Sequence, residues 1–281
     1  MGPTASGKTA LAVRIARIAG GEVISADSMQ VYRGLVIGTA KPSEEERAGI
    51  PHHLIDIIDI REKYDVYRFR NDAEQWINTI RNSGKLPVVA GGTGLYLRAL
   101  LYGLDPLPAS AELRKELDET YDNEEHFPEL QELMKKEVPE DYAKFFQHRR
   151  KLIRAREVFL LTGTPMTRLQ QTWKNIPCRE DARSFVLVWN NTDLRERIAL
   201  RCRAMLEQGW IEEAEENLRN GLHDAPTAWQ VLGYRQIAEY LNGTLKRSEL
   251  EEKIITATWQ FARRQNTWFR TQHPEAHPIL M

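Results

Sequence analysis

The first nine residues of the chain contain the feature that most limits how it can fold. Residues 2–9 follow the spacing Gly-x-x-x-x-Gly-Lys-Thr, which is typical of a phosphate-binding loop that leads into a helix. Backbone N–H groups of such a loop surround an anion, the lysine reaches the outer phosphates, and the threonine hydroxyl can ligate Mg²⁺. The apolar spacing over residues 9–16 predicts the helix, whose positive dipole end also favours an anion. The alternative is a glycine-rich turn that binds nothing.

The loop predicts a polyphosphate site without saying which polyphosphate binds. The residues that we expect to form it are Gly2, Pro3, Thr4, Ala5, Ser6, Gly7, Lys8 and Thr9, with Thr9 as the Mg²⁺ ligand. Such a loop normally follows a buried strand, and only Met1 precedes Gly2. Since a parallel sheet would lose its centre without that strand, we expect a strand that lies outside this numbering rather than a truncated fold.

Strands and helices alternate through the first third of the chain. This alternation predicts an α/β fold of the P-loop type, with a doubly wound parallel sheet. Ligands of open sheets bind at the carboxyl ends of the strands, so Asp27 is expected beside the loop. The segments that carry the prediction are the strands 22–26, 51–58, Leu86–Ala90 and 184–189 and the helix Val66–Asn82.

The composition changes near residues 104–108, which predicts a domain boundary. Acidic residues outnumber basic ones over 112–141, the balance reverses over 145–156, and both stretches have a helical pattern. We therefore predict an all-helical insertion over 109–180, within an α/β core domain formed by 1–108 and 181–281. Long amphipathic helices are predicted at 194–220 and 250–270.

Charge and cysteine content exclude several classes of protein. A net charge of −1 and an isoelectric point near 6.7 give no global sign of nucleic-acid binding, so any such surface must be local. Cys178 and Cys202 are too few for a disulfide framework, which favours a reduced cytoplasmic protein. We find no apolar run of about 18 residues and no signal peptide, so we expect no membrane association.

The ends of the predicted strands carry the candidate chemistry. Asp27 can act as a general base, or it can cap a helix or hold Mg²⁺ through water. Ordinary P-loop nucleotide hydrolases place an aspartate at the end of a strand such as Leu86–Ala90, where this chain has Gly91 and Gly92. That difference disfavours ATP hydrolysis. Thr93 offers a hydroxyl to a substrate, or is a turn residue.

Two arginine pairs each have a spacing of four residues on a predicted helix, Arg150 with Arg154 and Arg197 with Arg201. Like charges at this spacing cost roughly 0.2–0.5 kcal/mol per pair unless something compensates them. Neighbouring acids could do so, or the pairs could bind an anion such as RNA phosphate or a diphosphate. Taken together, the clusters favour RNA.

Several segments in order resemble the bacterial tRNA dimethylallyltransferases, also called tRNA isopentenyltransferases, and the resemblance spans nearly the whole chain. The loop is common to many enzymes, whereas the segments around Asp27 and Lys41 are specific to this family. The resembling segments are 2–9, 27–32, 37–42, 51–56, 91–96, 154–158, 233–236 and 264–270.

The resemblance implies transfer of a dimethylallyl group from its diphosphate to the exocyclic amine of the adenine 3′ of a tRNA anticodon. It implies that Asp27 is the base, that Thr93 contacts the reacting region, and that the loop, Mg²⁺, Arg197 and Arg201 hold the diphosphate. The partners are then dimethylallyl diphosphate and the tRNA anticodon stem-loop, bound by a monomer. The implied tRNA contacts are Asp27, Ser28, Met29, Gln30, Arg150, Lys151, Leu152, Ile153, Arg154, Gly233, Tyr234 and Arg235.

Two other functions are consistent with parts of the sequence. A small-molecule or nucleotide kinase would use the same loop, but Gly91 replaces the expected acid. A non-catalytic RNA-binding module would leave the loop and Asp27 unexplained. The basic helix also departs from the family pattern at residues 145–151 and at Arg156, which affects the expected tRNA contacts more than the chemistry at Asp27.

Overall fold

A computed structural model describes residues 1–105, 107–170 and 177–281 of the chain. The chain divides into two compact units: Met1–Leu101 together with Cys178–Met281, and Tyr102–Pro177. The sequence placed these boundaries a few residues later, after residues 108 and 180. Pro106, within the predicted boundary segment, lies outside the described residues.

The first unit contains a parallel sheet with the strand order β2-β1-β3. Strand β1 pairs with both neighbours, so that Val23 lies opposite His52 on one side and Val88 on the other. Apolar and β-branched residues suit these buried positions. The strands are β1 Gly21–Ser25, β2 His52–His53 and β3 Leu86–Ala90.

A second parallel sheet in the same unit is formed by β4, Phe185–Val188, and β5, His277–Leu280. Met1 joins β4, since its amino group donates to the Phe185 carbonyl at 2.6 Å and its carbonyl accepts from Leu187 N–H at 2.9 Å. The residue before the phosphate loop thus lies against a strand. The unit as a whole is a mixed α/β fold with parallel strands.

Helices cover these sheets. Helix α1 packs against β1 and β3, and α3 packs against the same two strands. The core includes the fully buried side chains of Tyr32, Phe69 and Tyr234. The helices of this unit are α1 Lys8–Ala19, α2 Glu44–Arg47, α3 Val66–Asn82, α4 Gly94–Tyr102, α10 Asn191–Glu207, α11 Trp210–Arg219, α12 Tyr234–Leu241 and α13 Arg247–Gln272, with 3₁₀ turns at Leu222–Asp224 and Ala228–Gln230.

Two predicted elements are broken by left-handed backbone. The strand expected over 51–58 is limited to His52–His53, because Leu54 and Asp56 have φ angles of 63° and 56°. The helix expected over 194–220 is divided at Gly209, whose φ of 98° cannot continue a helix. The chain resumes as a separate helix, α11, at Trp210.

The second unit is helical over its described residues. Its core contains Leu130, Met134, Leu152, Ile153 and Val158, none of which exposes its side chain. Helix α8 ends at Thr162, where Gly163 follows with a left-handed φ of 66°. The helices are α5 Ala111–Tyr121, α6 Phe127–Glu137, α7 Pro139–Phe145, α8 Arg149–Thr162 and α9 Met166–Leu169. Across the described part of the chain, the apolar length needed to cross a bilayer is not reached in any helix.

Candidate active site

The phosphate loop has the conformation that its glycine spacing predicts. Ala5 and Gly7 have φ angles of 61° and 87°, so the chain turns sharply before α1 begins at Lys8. Left-handed residues of this kind are a feature of the backbone turns that form anion-binding nests. Thr9 lies in the first turn of α1, directly after Lys8.

Three cations bind oxygen atoms of the loop. Lys8 Nζ donates to the Pro3 carbonyl at 2.6 Å, and Arg197 Nε donates to the Ala5 carbonyl at 2.9 Å. The third, Arg201, donates to the Thr4 hydroxyl. The predicted diphosphate residues are thus brought together, although Arg197 and Arg201 lie almost two hundred positions along the chain from the loop.

The electrostatics connect this cationic cluster to Asp27. Burial lowers the pKa of Lys8 to about 8, and repulsion from Arg201 adds to the effect, while the Asp27 carboxylate opposes both. Burial also lowers the pKa of Arg201, and Asp27 again opposes it. The carboxylate at the end of β1 is therefore close enough to act on both cations, and an incoming anion would relieve their mutual repulsion.

Two side chains that the sequence did not single out support the loop. Trp189 donates its indole N–H to the Ser6 carbonyl at 3.0 Å, and the Arg197 guanidinium lies 4.4 Å from the centre of its ring. On α13, Gln265 accepts from Thr4 N–H and donates to the Gly92 carbonyl, both at 2.8 Å. The sequence gives two signals for Gln265: it lies in the resembling segment 264–270, and it is a polar residue on the buried stripe of a helix.

Asp27 is half-buried and its carboxylate is held by the backbone that follows. Its Oδ1 atom accepts from Met29 N–H at 2.9 Å and from Gln30 N–H at 3.3 Å. The carboxylate therefore makes a turn as well as facing the cations. Thr93 lies beside it: its hydroxyl accepts from Ser28 N–H at 3.0 Å.

Close backbone packing explains the two glycines after β3. A Cβ atom on Gly91 would lie 2.1 Å from the Ala26 carbonyl oxygen, and one on Gly92 would lie 2.5 Å from Gln265 Nε2. Any side chain at Gly91 would displace the end of β1. The missing strand-end acid is thus a consequence of backbone packing beside Asp27.

The predicted tRNA contacts in the first unit differ in exposure. Gln30 turns its side chain inward, donating to the Thr39 and Ala40 carbonyls at 3.2 Å each. Tyr234 is fully buried, so the expectation that its side chain contacts tRNA is wrong in this structure. Gly233 is buried beneath Trp210 as well, while Arg235 is exposed.

The predicted contacts on α8 also separate into two groups. Leu152 and Ile153 are completely buried in the core of the second unit, which rules out contact of their side chains with RNA. Arg154 is committed to the buried Glu157 at 2.6 Å. Arg150 and Lys151, in the first turn of the helix, remain exposed.

A mixed α/β fold with a cationic phosphate loop facing a strand-end carboxylate defines an enzyme class that handles phosphorylated substrates. A family model described as IPP transferase matches residues 30–272. A tRNA dimethylallyltransferase from Methylococcus capsulatus is 42% identical over 276 residues, covering 97% of this chain and 88% of the relative. The chain therefore belongs to the IPP transferase family, which includes the tRNA dimethylallyltransferases.

Solved structures agree with this assignment. A tRNA isopentenylpyrophosphate transferase from Staphylococcus epidermidis has a TM-score of 0.72 and 32% identity, covering 100% of this chain and 91% of its own. A eukaryotic dimethylallyltransferase, described as acting on tRNA, has a TM-score of 0.80 and 27% identity, covering 99% of this chain and 72% of its own.

Proposed function

We propose that this chain transfers a dimethylallyl group from dimethylallyl diphosphate to the exocyclic amine of the adenine 3′ of the tRNA anticodon, releasing diphosphate. The observation that carries the proposal is the coupling of Asp27 to the phosphate loop by hydrogen bonds. Gln265 joins Thr4 of the loop to Gly92. The next residue, Thr93, binds the backbone on both sides of Asp27, at Ala26 and Ser28. A base and a diphosphate cradle must face the same reacting centre, and this coupling supports that arrangement. Family membership gives the class of reaction.

Asp27 supplies the base in this reaction. The adenine amine is a weak nucleophile, since its lone pair is delocalised into the ring, and it must lose a proton as the new bond forms. The C–N bond forms at the allylic carbon, the C–O bond to diphosphate breaks, and the proton passes to the Asp27 carboxylate. A positioned base contributes roughly 10²–10⁴ in rate. Thr93, whose hydroxyl meets Ser28 beside Asp27, is placed to contact the reacting region.

The cationic cluster stabilises the leaving group. Lys8, Arg197 and Arg201 donate to oxygen atoms of the loop, and the same donors can turn to diphosphate oxygens as negative charge develops there. Thr9 would hold Mg²⁺, which takes few protein ligands and binds mainly phosphate oxygens and water. A single hydroxyl after the phosphate-loop lysine fits that requirement. When bound, Mg²⁺ would neutralise charge on the diphosphate.

The tRNA must present its adenine outside the base stack, because a stacked base cannot reach a buried carboxylate. Anticodon loops suit this, since their unpaired bases can be turned out.

We propose that the first unit is the P-loop core with a doubly wound sheet and that the helical unit is an inserted tRNA-binding module. Exposed Arg150, Lys151 and Arg235 are the residues suited to RNA phosphates. Monomeric state and cytoplasmic location stay predictions from the sequence, and sedimentation of the purified chain checks the first.

Incubation with labelled donor separates this function from phosphoryl transfer. The chain is given labelled dimethylallyl diphosphate or labelled ATP, with and without bulk tRNA. We expect label to move from the prenyl donor to RNA only. Movement of phosphate from ATP to a small acceptor would instead support a kinase.

The role of Asp27 is tested by Asp27→Ala. We expect diphosphate and tRNA affinities to change by only a few-fold while the rate falls by about 10²–10⁴. Asp59→Ala is the matched control, because Asp59 is an exposed carboxylate paired with Arg61 and should leave the rate unchanged. A near-normal rate for Asp27→Ala would remove Asp27 from the mechanism.

A further inference from the structure

One carboxylate outside the site described above binds an unusual number of donors. Glu213, on α11, accepts from three successive backbone N–H groups, those of Val36 at 3.0 Å, Ile37 at 2.7 Å and Gly38 at 3.0 Å. It also accepts the hydroxyl of Tyr234. A carboxylate with several N–H donors makes strong, directional bonds, so Glu213 fixes the backbone of residues 36–38.

The surroundings of Gly38 leave that segment no freedom. A Cβ atom on Gly38 would lie 2.2 Å from the Tyr234 ring and 2.3 Å from Trp210 Nε1. The two aromatic rings meet edge to face, with their centroids 6.1 Å apart. Burial, followed by the Glu213 charge, raises the pKa of Tyr234, so its hydroxyl remains a donor to the carboxylate. Tyr234, which the family resemblance places among the tRNA contacts, thus packs against residues 36–38 and supports that segment.

The segment held by Glu213 is connected to Asp27 through Gln30. The carbonyls of Thr39 and Ala40 accept from Gln30 Nε2, and Ser25 donates to Gln30 Oε1 at 2.9 Å. The backbone N–H of Gln30 in turn donates to Asp27 Oδ1 at 3.3 Å. Each contact in this series lies within the first unit, and the series ends at the carboxylate that the proposed function uses as its base.

The far end of the segment is anchored independently. Lys41 is buried, and its ammonium group donates to the Tyr32 carbonyl and to Asp56. The segment also closes on itself, since Ala40 N–H donates to the Ile37 carbonyl at 2.8 Å and Lys41 N–H donates to the Val36 carbonyl at 3.1 Å. Glu213 is the carboxylate that ties this turn to α11. Replacing one carboxylate oxygen with an amide nitrogen would leave at least one of these N–H groups without its acceptor. The change would loosen residues 36–40 and, through Gln30, the turn that orients Asp27.

We propose that Glu213 is a positioning residue for prenyl transfer, acting on Asp27 through residues 36–40 and Gln30. The inference rests on the proposed function, because it assigns Asp27 the role of base. It predicts that Glu213 affects the rate of the chemical step more than the binding of the donor, since the phosphate loop has its own supports in Gln265 and Trp189.

The experiment measures single-turnover prenyl transfer per diphosphate-binding site, with inorganic diphosphate used to count and titrate the sites. Glu213→Gln is expected to lower this rate about 10-fold or more, with the affinity for diphosphate within two-fold of wild type. Glu212→Gln, an exposed neighbour on the same helix, is the matched control and should change neither quantity. A normal rate per site in Glu213→Gln would overturn the proposal.

A double-mutant cycle distinguishes positioning from a purely structural role. If Glu213 acts through Asp27, Glu213→Gln will have little further effect on the residual rate of Asp27→Asn. If the two losses multiply instead, the proposal is wrong.

Should Glu213→Gln fail to fold, Tyr234→Phe removes one hydrogen-bond donor to Glu213 and keeps the aromatic ring. A smaller loss of rate with the same non-additivity is then expected. Absence of prenyl transfer by the wild-type chain would refute the proposed function itself.

Discussion

The two arginine pairs have the same spacing but different surroundings. On α8, Arg154 donates to the fully buried Glu157 at 2.6 Å. On α10, Arg197 donates to the Ala5 carbonyl and Arg201 to the Thr4 hydroxyl. No ion pair joins either of these two arginines to a carboxylate within the described ranges. The first pair is partly used within the protein, whereas the second is held by weak acceptors that an anion can replace.

The difference teaches that spacing determines which face a charge occupies, and burial of the neighbouring acid determines whether the charge remains available. Glu157 is buried and also bound by Arg114 and by the Ser110 N–H, so it needs its cations to offset desolvation. Glu196, the acid beside the second pair, is exposed and solvated. An arginine that donates only to neutral oxygen atoms is therefore a better indication of an anion site than an arginine that is paired with a buried carboxylate.

Among the cations compared here, the largest effect is expected for Lys8→Ala, which removes the cation at the start of α1. Loss of one preorganised donor to a developing charge costs roughly 10²–10³ in rate, and we expect donor affinity to fall as well. Steady-state kinetics and diphosphate titration measure both. Lys85→Ala, which removes an exposed lysine paired with Glu22, is the control. Unchanged donor affinity in Lys8→Ala would contradict the phosphate-loop assignment.

The next effect is expected for Arg201→Ala. Since the guanidinium faces neutral oxygens beside Lys8, its removal should weaken diphosphate binding by about 10–100-fold. Arg203→Ala provides the comparison: this exposed arginine lies two residues further along the helix and pairs with Glu251 at 2.7 Å. We expect calorimetry to find diphosphate binding intact in Arg203→Ala. Equal losses in the two variants would mean that only net charge matters.

The pH dependence of diphosphate binding should reveal Lys8 directly. With a pKa of about 8, Lys8 is charged below that pH and neutral above it. Binding above pH 8 therefore requires proton uptake, and affinity should fall by up to about tenfold per pH unit there. Lys8→Arg stays charged and serves as the reference for titration of diphosphate itself. Identical pH profiles for the two proteins would contradict the lowered pKa.

A smaller effect, on stability rather than binding, is expected for Arg154→Ala. Burial alone would raise the pKa of Glu157, but Arg154, Arg114 and the Ser110 N–H hold that pKa below its ordinary value. Losing one of these donors should lower the free energy of unfolding by about 1–3 kcal/mol, measured by urea denaturation. Because the pKa is lowered on folding, the contribution of Glu157 is present above its unfolded pKa and is lost in acid. An unchanged free energy of unfolding in Arg154→Ala would mean that Arg154 is not needed by Glu157 and is available to bind RNA.

The smallest effect is expected for Arg150→Ala, since this side chain is largely exposed. If it contacts one tRNA phosphate, the slope of log affinity against log salt should decrease by about 1, with only a few-fold loss at moderate salt. Lys115→Ala, on α5, removes an exposed lysine of the same unit that faces Glu119 and is the control. An unaltered slope for Arg150→Ala would place it among solvated surface charges.

Local patterns predicted the parts of the site that local chemistry determines. The phosphate loop, α1 and the position of Asp27 after β1 follow from residues adjacent in sequence, and α3 matches its predicted bounds Val66–Asn82. The side chains that support the site could not be predicted from local patterns, because they bind residues far away in the sequence. Gln265 binds Thr4 across 261 residues, and Glu213 binds Ile37 across 176. Nothing in a helical pattern distinguishes Glu213 from its exposed neighbours on α11. Leu54 ends β2 through a left-handed conformation that no residue preference predicts.

The contact between Gly91 and the Ala26 carbonyl has a consequence for attempts to redesign the enzyme. An added Cβ atom would lie 2.1 Å from that oxygen, so an aspartate for metal-assisted phosphoryl transfer cannot be introduced there by one substitution. The two strand ends would first have to separate, and the hydrogen bond from Thr93 N–H to Ala26, 3.2 Å long, would be lost. An acid at Gly91 thus requires movement of the main chain as well as a change of residue.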